Sequence, residues 1–195
     1  MNAQTSATTQ TISEGEWLLD SRRMALVQML GTAAFFPAGP LFFLWGKALD
    51  PQLSITQVLE LMPQGLLLFL FLLMLHEVSH GIAFNWAGAK AHYGFKFVGG
   101  LPVFYTTAPG HWLTRQEYAR VGIAPTFVVN ILGLLLMAAV PTLRPGFVIA
   151  LSLHITGCAG DWLMYNAVLR LPPEAEIYDT EHGFRWRLPQ NRPVP

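Results

Sequence analysis

His76-Glu77-Val78-Ser79-His80 is the stretch of the chain best suited to chemistry. In a helix, positions four apart lie one above the other, so both imidazoles can reach a single ion. Zinc accepts neutral imidazole nitrogens, and in catalytic sites it keeps one position open for water. Glu77 stands beside the pair, where a carboxylate can take a proton from metal-bound water and pass it to a leaving amine. With six histidines and eight glutamates in 195 residues, about 0.007 such pentads are expected by chance, so coincidence is a weak rival. The bland alternative is two packed histidines and a glutamate paired with a base. Ionisable groups inside a membrane helix are costly and by default functional, and no lysine or arginine lies near Glu77 in its apolar stretch.

Catalytic zinc usually has three protein ligands, so a third is needed. Asp161 is the leading candidate, because it is the only carboxylate in the last apolar stretch and follows Gly157, Ala159 and Gly160. Such small residues let helix backbones approach closely. Asp161 comes late in its span, as His76 and His80 do in theirs, which predicts a shared depth. His154 competes, but it lies seven residues earlier, about 10 Å along a helix axis. It cannot share an ion with Asp161 unless the glycines break the helix, so a place behind the ligands is expected, as hydrogen-bond partner, proton relay or packed side chain. Asn130 reads as an interhelical hydrogen-bonding group or a substrate contact. Cys158, among apolar neighbours, reads as an inert small hydrophobe rather than a ligand.

These residues need a scaffold, and composition says which kind. Apolar residues make up 52% of the chain and charged residues only 12%, against roughly 25% charged in soluble domains. This composition argues against a water-soluble globule. Twelve basic and twelve acidic residues cancel, which argues against nucleic acid as a partner. One cysteine rules out an internal disulfide. Four stretches approach or exceed the roughly 20 residues that cross a bilayer as a helix: 24–46, 57–86, 121–140 and 147–169. The predicted fold is an all-α membrane protein, a bundle of about four transmembrane helices. It divides into a polar tail (1–22), a transmembrane domain (23–170) and a C-terminal tail (171–195). Ten of the twelve lysines and arginines fall in the two tails and the central segment, which places all three on the cytoplasmic side. The opening residues lack the pattern of a cleaved signal, so the first span is expected to be an anchor.

Between the second and third spans the texture changes. Tyr93, Phe95 and Phe97 alternate with His92, Gly94 and Lys96, Gly99-Gly100 supplies a turn, and Leu101, Val103 and Tyr105 resume the alternation. This pattern predicts a β-hairpin, with Pro102 marking an edge strand. Its edge at Val103, Tyr105 and Thr107 is where an extended peptide could add as a further strand, unless the ribbon merely caps the bundle. Thr114 and Glu117 form a capping-box pair, expected to start a short interfacial helix before the third span.

Several segments together resemble the zincin-peptidase family of bacterial integral membrane proteins and, more remotely, the site-two intramembrane metalloproteases. They are HEVSHG at 76–81, the glycine pair and aromatic hairpin, RQEYARVGIAPTFVVN at 115–130, GCAGDW at 157–162 and LPPEAEIYDTEHGFRW at 171–186. The resemblance spans residues 60–187. It implies peptide-bond hydrolysis in or beside the membrane, with His76, His80 and Asp161 as zinc ligands and Glu77 as the catalytic carboxylate. In site-two proteases glycine typically follows the aspartate, whereas here Trp162 follows and Gly160 precedes it. The expected substrate is a membrane protein or peptide. The rival expectations are a non-catalytic zinc-binding membrane protein with a structural, sensing or transport role, and a hydrolase of a non-peptide substrate.

Overall fold

The structure is a computed structural model that describes residues 14–98 and 101–189. In chain order the elements are β1 (Glu14–Leu18), α1 (Ser21–Leu49), α2 (Ile55–Glu60), α3 (Met62–Trp86), β2 (His92–Val98), β3 (Leu101–Thr107), β4 (Trp112–Thr114), α4 (Arg115–Ala139), α5 (Arg144–Gly157), α6 (Ala159–Leu169), β5 (Glu176–Thr180) and β6 (Gly183–Arg187). A single 3-10 turn, Pro141–Leu143, separates α4 from α5. The chain is mostly helical, and four helical segments among the described residues are long and apolar enough to cross a bilayer.

The first three are continuous helices. Asp20 caps α1 by accepting from the Arg23 amide. The Thr114 and Glu117 side chains cap α4 reciprocally, but no separate interfacial helix follows. With no breaker between Arg120 and Val121, the helix continues unbroken to Ala139. The fourth segment is interrupted after Gly157, where Cys158 lies between α5 and α6. Glycine is a poor helix former, and two of them flanking residues 158–159 weaken the ladder at this point. The break sets Asp161 in the first turn of a new helix, where exposed N–H groups favour a negative charge.

Two apolar cores hold the molecule. One lies wholly among helices, around Phe42, Leu72, Val129, Met137, Phe147 and Leu151. Here small residues admit large ones: a Cβ on Gly133 would collide with Leu151, and one on Gly65 with Ile149. The other core, around Phe84, Tyr118, Val168, Ile177 and Phe184, joins the helices to a four-stranded antiparallel sheet. That sheet has the order β1-β6-β5-β4, so the strands flanking the first and last spans lie side by side.

The expected hairpin is present as β2 paired with β3, from His92 opposite Thr107 to Val98 opposite Leu101. The Gly99-Gly100 turn lies outside the described residues. The Tyr93 ring rests on Gly81, where any side chain would displace it, and this contact docks the ribbon one residue beyond His80.

Candidate metal centre and its cavity

His76, Ser79 and His80 are buried on one face of α3. The two imidazoles stand 4.9 Å apart and nearly perpendicular. Asp161, from α6, meets both: its Oδ2 is 3.1 Å from His76 Nε2 and its Oδ1 is 3.5 Å from His80 Nε2. One ligating atom from each of the three residues lies within 4.8 Å of the others. Asp161 Oδ2 is buried and has no hydrogen-bond partner among the described residues despite its nearness to His76. The atoms are close without being aimed at each other, as expected of ligands converging on a third point. Two imidazoles and one carboxylate facing a cavity form a donor set that fits zinc with a position left open.

His80 is held for this role by a gap in a helix. Pro125 has no N–H, so it cannot bond the carbonyl of Val121 four residues earlier in α4. That carbonyl instead faces His80 Nδ1 at 2.9 Å. A carbonyl only accepts, so the His80 proton sits on Nδ1 and the Nε2 lone pair faces Asp161. A proline four residues after an apolar position in a predicted span is the sequence signal for such a freed carbonyl. Trp162, which departs from the site-two pattern, donates from its indole to Thr126 Oγ1 at 2.9 Å and clips α6 to α4 beside Asp161.

Glu77 lies next to the three in the same cavity. Thr106 donates to Glu77 Oε2 at 2.8 Å and also lies 3.0 Å from the Glu77 carbonyl. Sequence reasoning missed this residue. Alternation along β3 puts Phe104 and Thr106 on one face and Tyr105 and Thr107 on the other, and the face opposite the expected peptide edge is the one that reaches Glu77. Val103 belongs to β3, but its side chain lies outside the described residues. His154 and Asn130 are both buried; His154 also lines the cavity, with its Nε2 3.2 Å from His76 Nδ1, and Asn130 stands behind it, with its Nδ2 3.1 Å from His154 Nδ1. Cys158 Sγ is 3.9 Å from both nitrogens of His154, and one ligating atom each of Cys158, His154 and His76 also lies within 4.8 Å of the others.

The cavity measures about 340 Å³ and extends along α3 from the centre to Leu73 and Phe69. Strand β3 forms one wall, and Trp17 with the Thr180–Gly183 turn forms a roof. Asp179 bolts this roof down. Its Oδ1 accepts from the Tyr118 hydroxyl at 2.6 Å and its Oδ2 from the Ala108 amide at 3.1 Å, tying β5 to α4 and to the end of β3. Burial pushes the Asp179 carboxyl up to about 6, against the lowering effect of the two hydrogen bonds.

A family model described as Putative zincin peptidase matches residues 69–175, more than half of the chain. The chain belongs to this family. The matched stretch holds the zincin-type pentad, the hairpin, α4 and Asp161, while β1, β5 and β6, which supply the roof, lie outside it. Neither the curated proteins nor the solved structures include a match to the chain.

Proposed function

We propose that the chain is a zinc-dependent peptidase that hydrolyses peptide bonds in or beside the membrane, with His76, His80 and Asp161 as ligands and Glu77 as the acid–base residue. The observation that carries this reading is the convergence of the three ligating atoms, with the Glu77 carboxylate next to them in the same cavity. Zinc bound there supplies a Lewis acid that polarises a carbonyl and acidifies water. Glu77 is placed to take a proton from water and return it to the departing nitrogen. Thr106 holds one Glu77 oxygen and leaves the other for that exchange. The substrate backbone lies along β3 near Val103, Tyr105 and Thr107, as a strand added to the ribbon. Phe69 and Leu73 line the deeper part of the cavity and favour apolar side chains there. Four apolar helical segments support a substrate that is itself embedded in, or docked on, a bilayer.

The test is cleavage of a reporter membrane peptide by purified protein, with zinc content measured in parallel. Glu77→Gln keeps the size of the side chain and removes its basicity, so it should retain zinc and lose at least about a hundredfold in turnover, the lower range for a general base. Equal turnover in the two proteins overturns the catalytic role and leaves a non-catalytic zinc site.

A further inference from the structure

A row of buried polar side chains runs away from the centre behind His76. His76 Nδ1 faces His154 Nε2, and His154 Nδ1 faces Asn130 Nδ2. The same Asn130 Nδ2 donates to the Thr126 carbonyl at 2.7 Å, while Asn130 Oδ1 is buried and has no hydrogen-bond partner among the described residues. Direction follows from these contacts alone. The Thr126 carbonyl only accepts, so the amide presents its NH2 group to that side. His154 Nδ1 faces the same NH2 and must accept. A neutral imidazole carries one N–H, which for His154 then falls on Nε2 and points at His76 Nδ1. The N–H of His76 is left on Nε2, the atom whose lone pair a metal requires. His80 differs, because the Val121 carbonyl has already fixed its proton on Nδ1.

We propose that Asn130, acting through His154, is a positioning residue that decides whether His76 can ligate metal, and that metal loading turns its amide over and reverses the row. This rests on the zinc reading above and deepens it. In the reversed row His76 Nδ1–H donates to His154 Nε2, and His154 Nδ1–H donates to Asn130 Oδ1. Each ring keeps one proton, moved from Nε2 to Nδ1, so no proton is gained or lost. Oδ1 acquires a donor, while the bond to the Thr126 carbonyl is given up and Nδ2 takes the buried place that Oδ1 held without a partner, a cost that ligation of the metal by His76 must offset. The centre therefore pairs one preset imidazole, His80, with one that must be switched.

Ring tautomers in the purified full chain test this directly. With 15N-labelled histidine, addition of zinc alone should move the ring proton of His76 and His154 from Nε2 to Nδ1 and leave that of His80 on Nδ1. Zinc affinity measured against a competing chelator supplies a second readout. Asn130→Asp can only accept from His154, so it should bind zinc about tenfold more tightly than wild type, while His154→Phe should bind about 10–100-fold more weakly, the range for losing a ligand's outer partner. A merely structural role would weaken zinc binding in both variants and leave the His154 proton on Nε2 when zinc binds, and either result overturns the proposal. The tautomer measurement needs no substitution, so misfolding of a variant does not blunt it. A chain that switches tautomers with zinc yet cleaves no peptide upholds this inference and sinks the peptidase reading alone, whereas a chain that binds no zinc sinks both.

Discussion

The two cores of the molecule are built on different principles. In the all-helical core, glycines meet leucine and isoleucine side chains and the contacts are almost wholly apolar. At the sheet end, elements are joined through polar atoms: Thr106 of β3 to Glu77, Tyr118 and Ala108 to Asp179 of β5, and, between two helices, His80 to the Val121 carbonyl. The candidate centre lies between them, with Leu72 of the first core one turn from His76 and Phe84 of the second one turn from His80. One end supplies rigidity through packing. The other supplies orientation through hydrogen bonds, which are directional and can be lost without collapsing the bundle.

If this division is right, substitutions at the two ends fail in different ways. Asp161→Ala should weaken zinc binding by more than the roughly 10–100-fold typical of an outer hydrogen-bond partner, while the melting transition in detergent stays close to wild type. A large fall in melting temperature would show that the centre also holds the bundle together. Leu151→Ala is the converse case. Leu151 is fully buried against Gly133, so its truncation should cost about 2–5 kcal/mol of stability and leave zinc affinity per folded molecule unchanged. An altered affinity would break the separation.

A pH series examines the sheet end alone. An acid whose folded pKa is raised holds its proton longer in the folded state. Its contribution is therefore most favourable below the ordinary value of 3.8, declines as pH rises, and levels off above about 6. The decline attributable to Asp179 is on the order of 3 kcal/mol. Comparing unfolding of wild type and Asp179→Asn between pH 4 and 7 should show it in wild type only; parallel curves would count against the buried carboxylate. The smallest effect is expected from Gly160→Leu. A Cβ at Gly160 meets no atom within 4 Å, and the residue lines the cavity. The added side chain should cut reporter cleavage by roughly tenfold, while stability changes by no more than the ~1 kcal/mol that separates glycine from good helix formers. Undiminished cleavage would mean that the substrate does not pass this point.

Local periodicity made part of this architecture legible in advance. The four-residue spacing of His76 and His80, the lone carboxylate at Asp161 and the alternation around the 92–107 ribbon are all short-range patterns, and each lies where that pattern implied. The four-stranded sheet left no comparable trace. Strands β1 and β6 hold the charged stretches Glu14–Leu18 and Gly183–Arg187; β6 pairs locally with β5, but its pairing with β1 joins opposite ends of the chain, so nothing nearby in sequence announces it. The link from Tyr118 to Asp179 is equally long-range. Thr106 escaped notice because alternation separates the faces of a strand without saying which one meets a helix. The Asn130–His154–His76 row joins α4, α5 and α3, so it depended on how three separate helices pack, which no local pattern states.

The pairing of β1 with β6 also bears on biogenesis. A ribosome delivers Glu14–Leu18 before any span has been made, and the strand it pairs with only after every span is complete. Until then Trp17 has no Phe184 to stack on, and the hollow above the histidines has no cover. A nascent molecule would thus hold the Glu77 carboxylate and the imidazoles open to the surroundings, and acquire its roof only as synthesis passes Arg187.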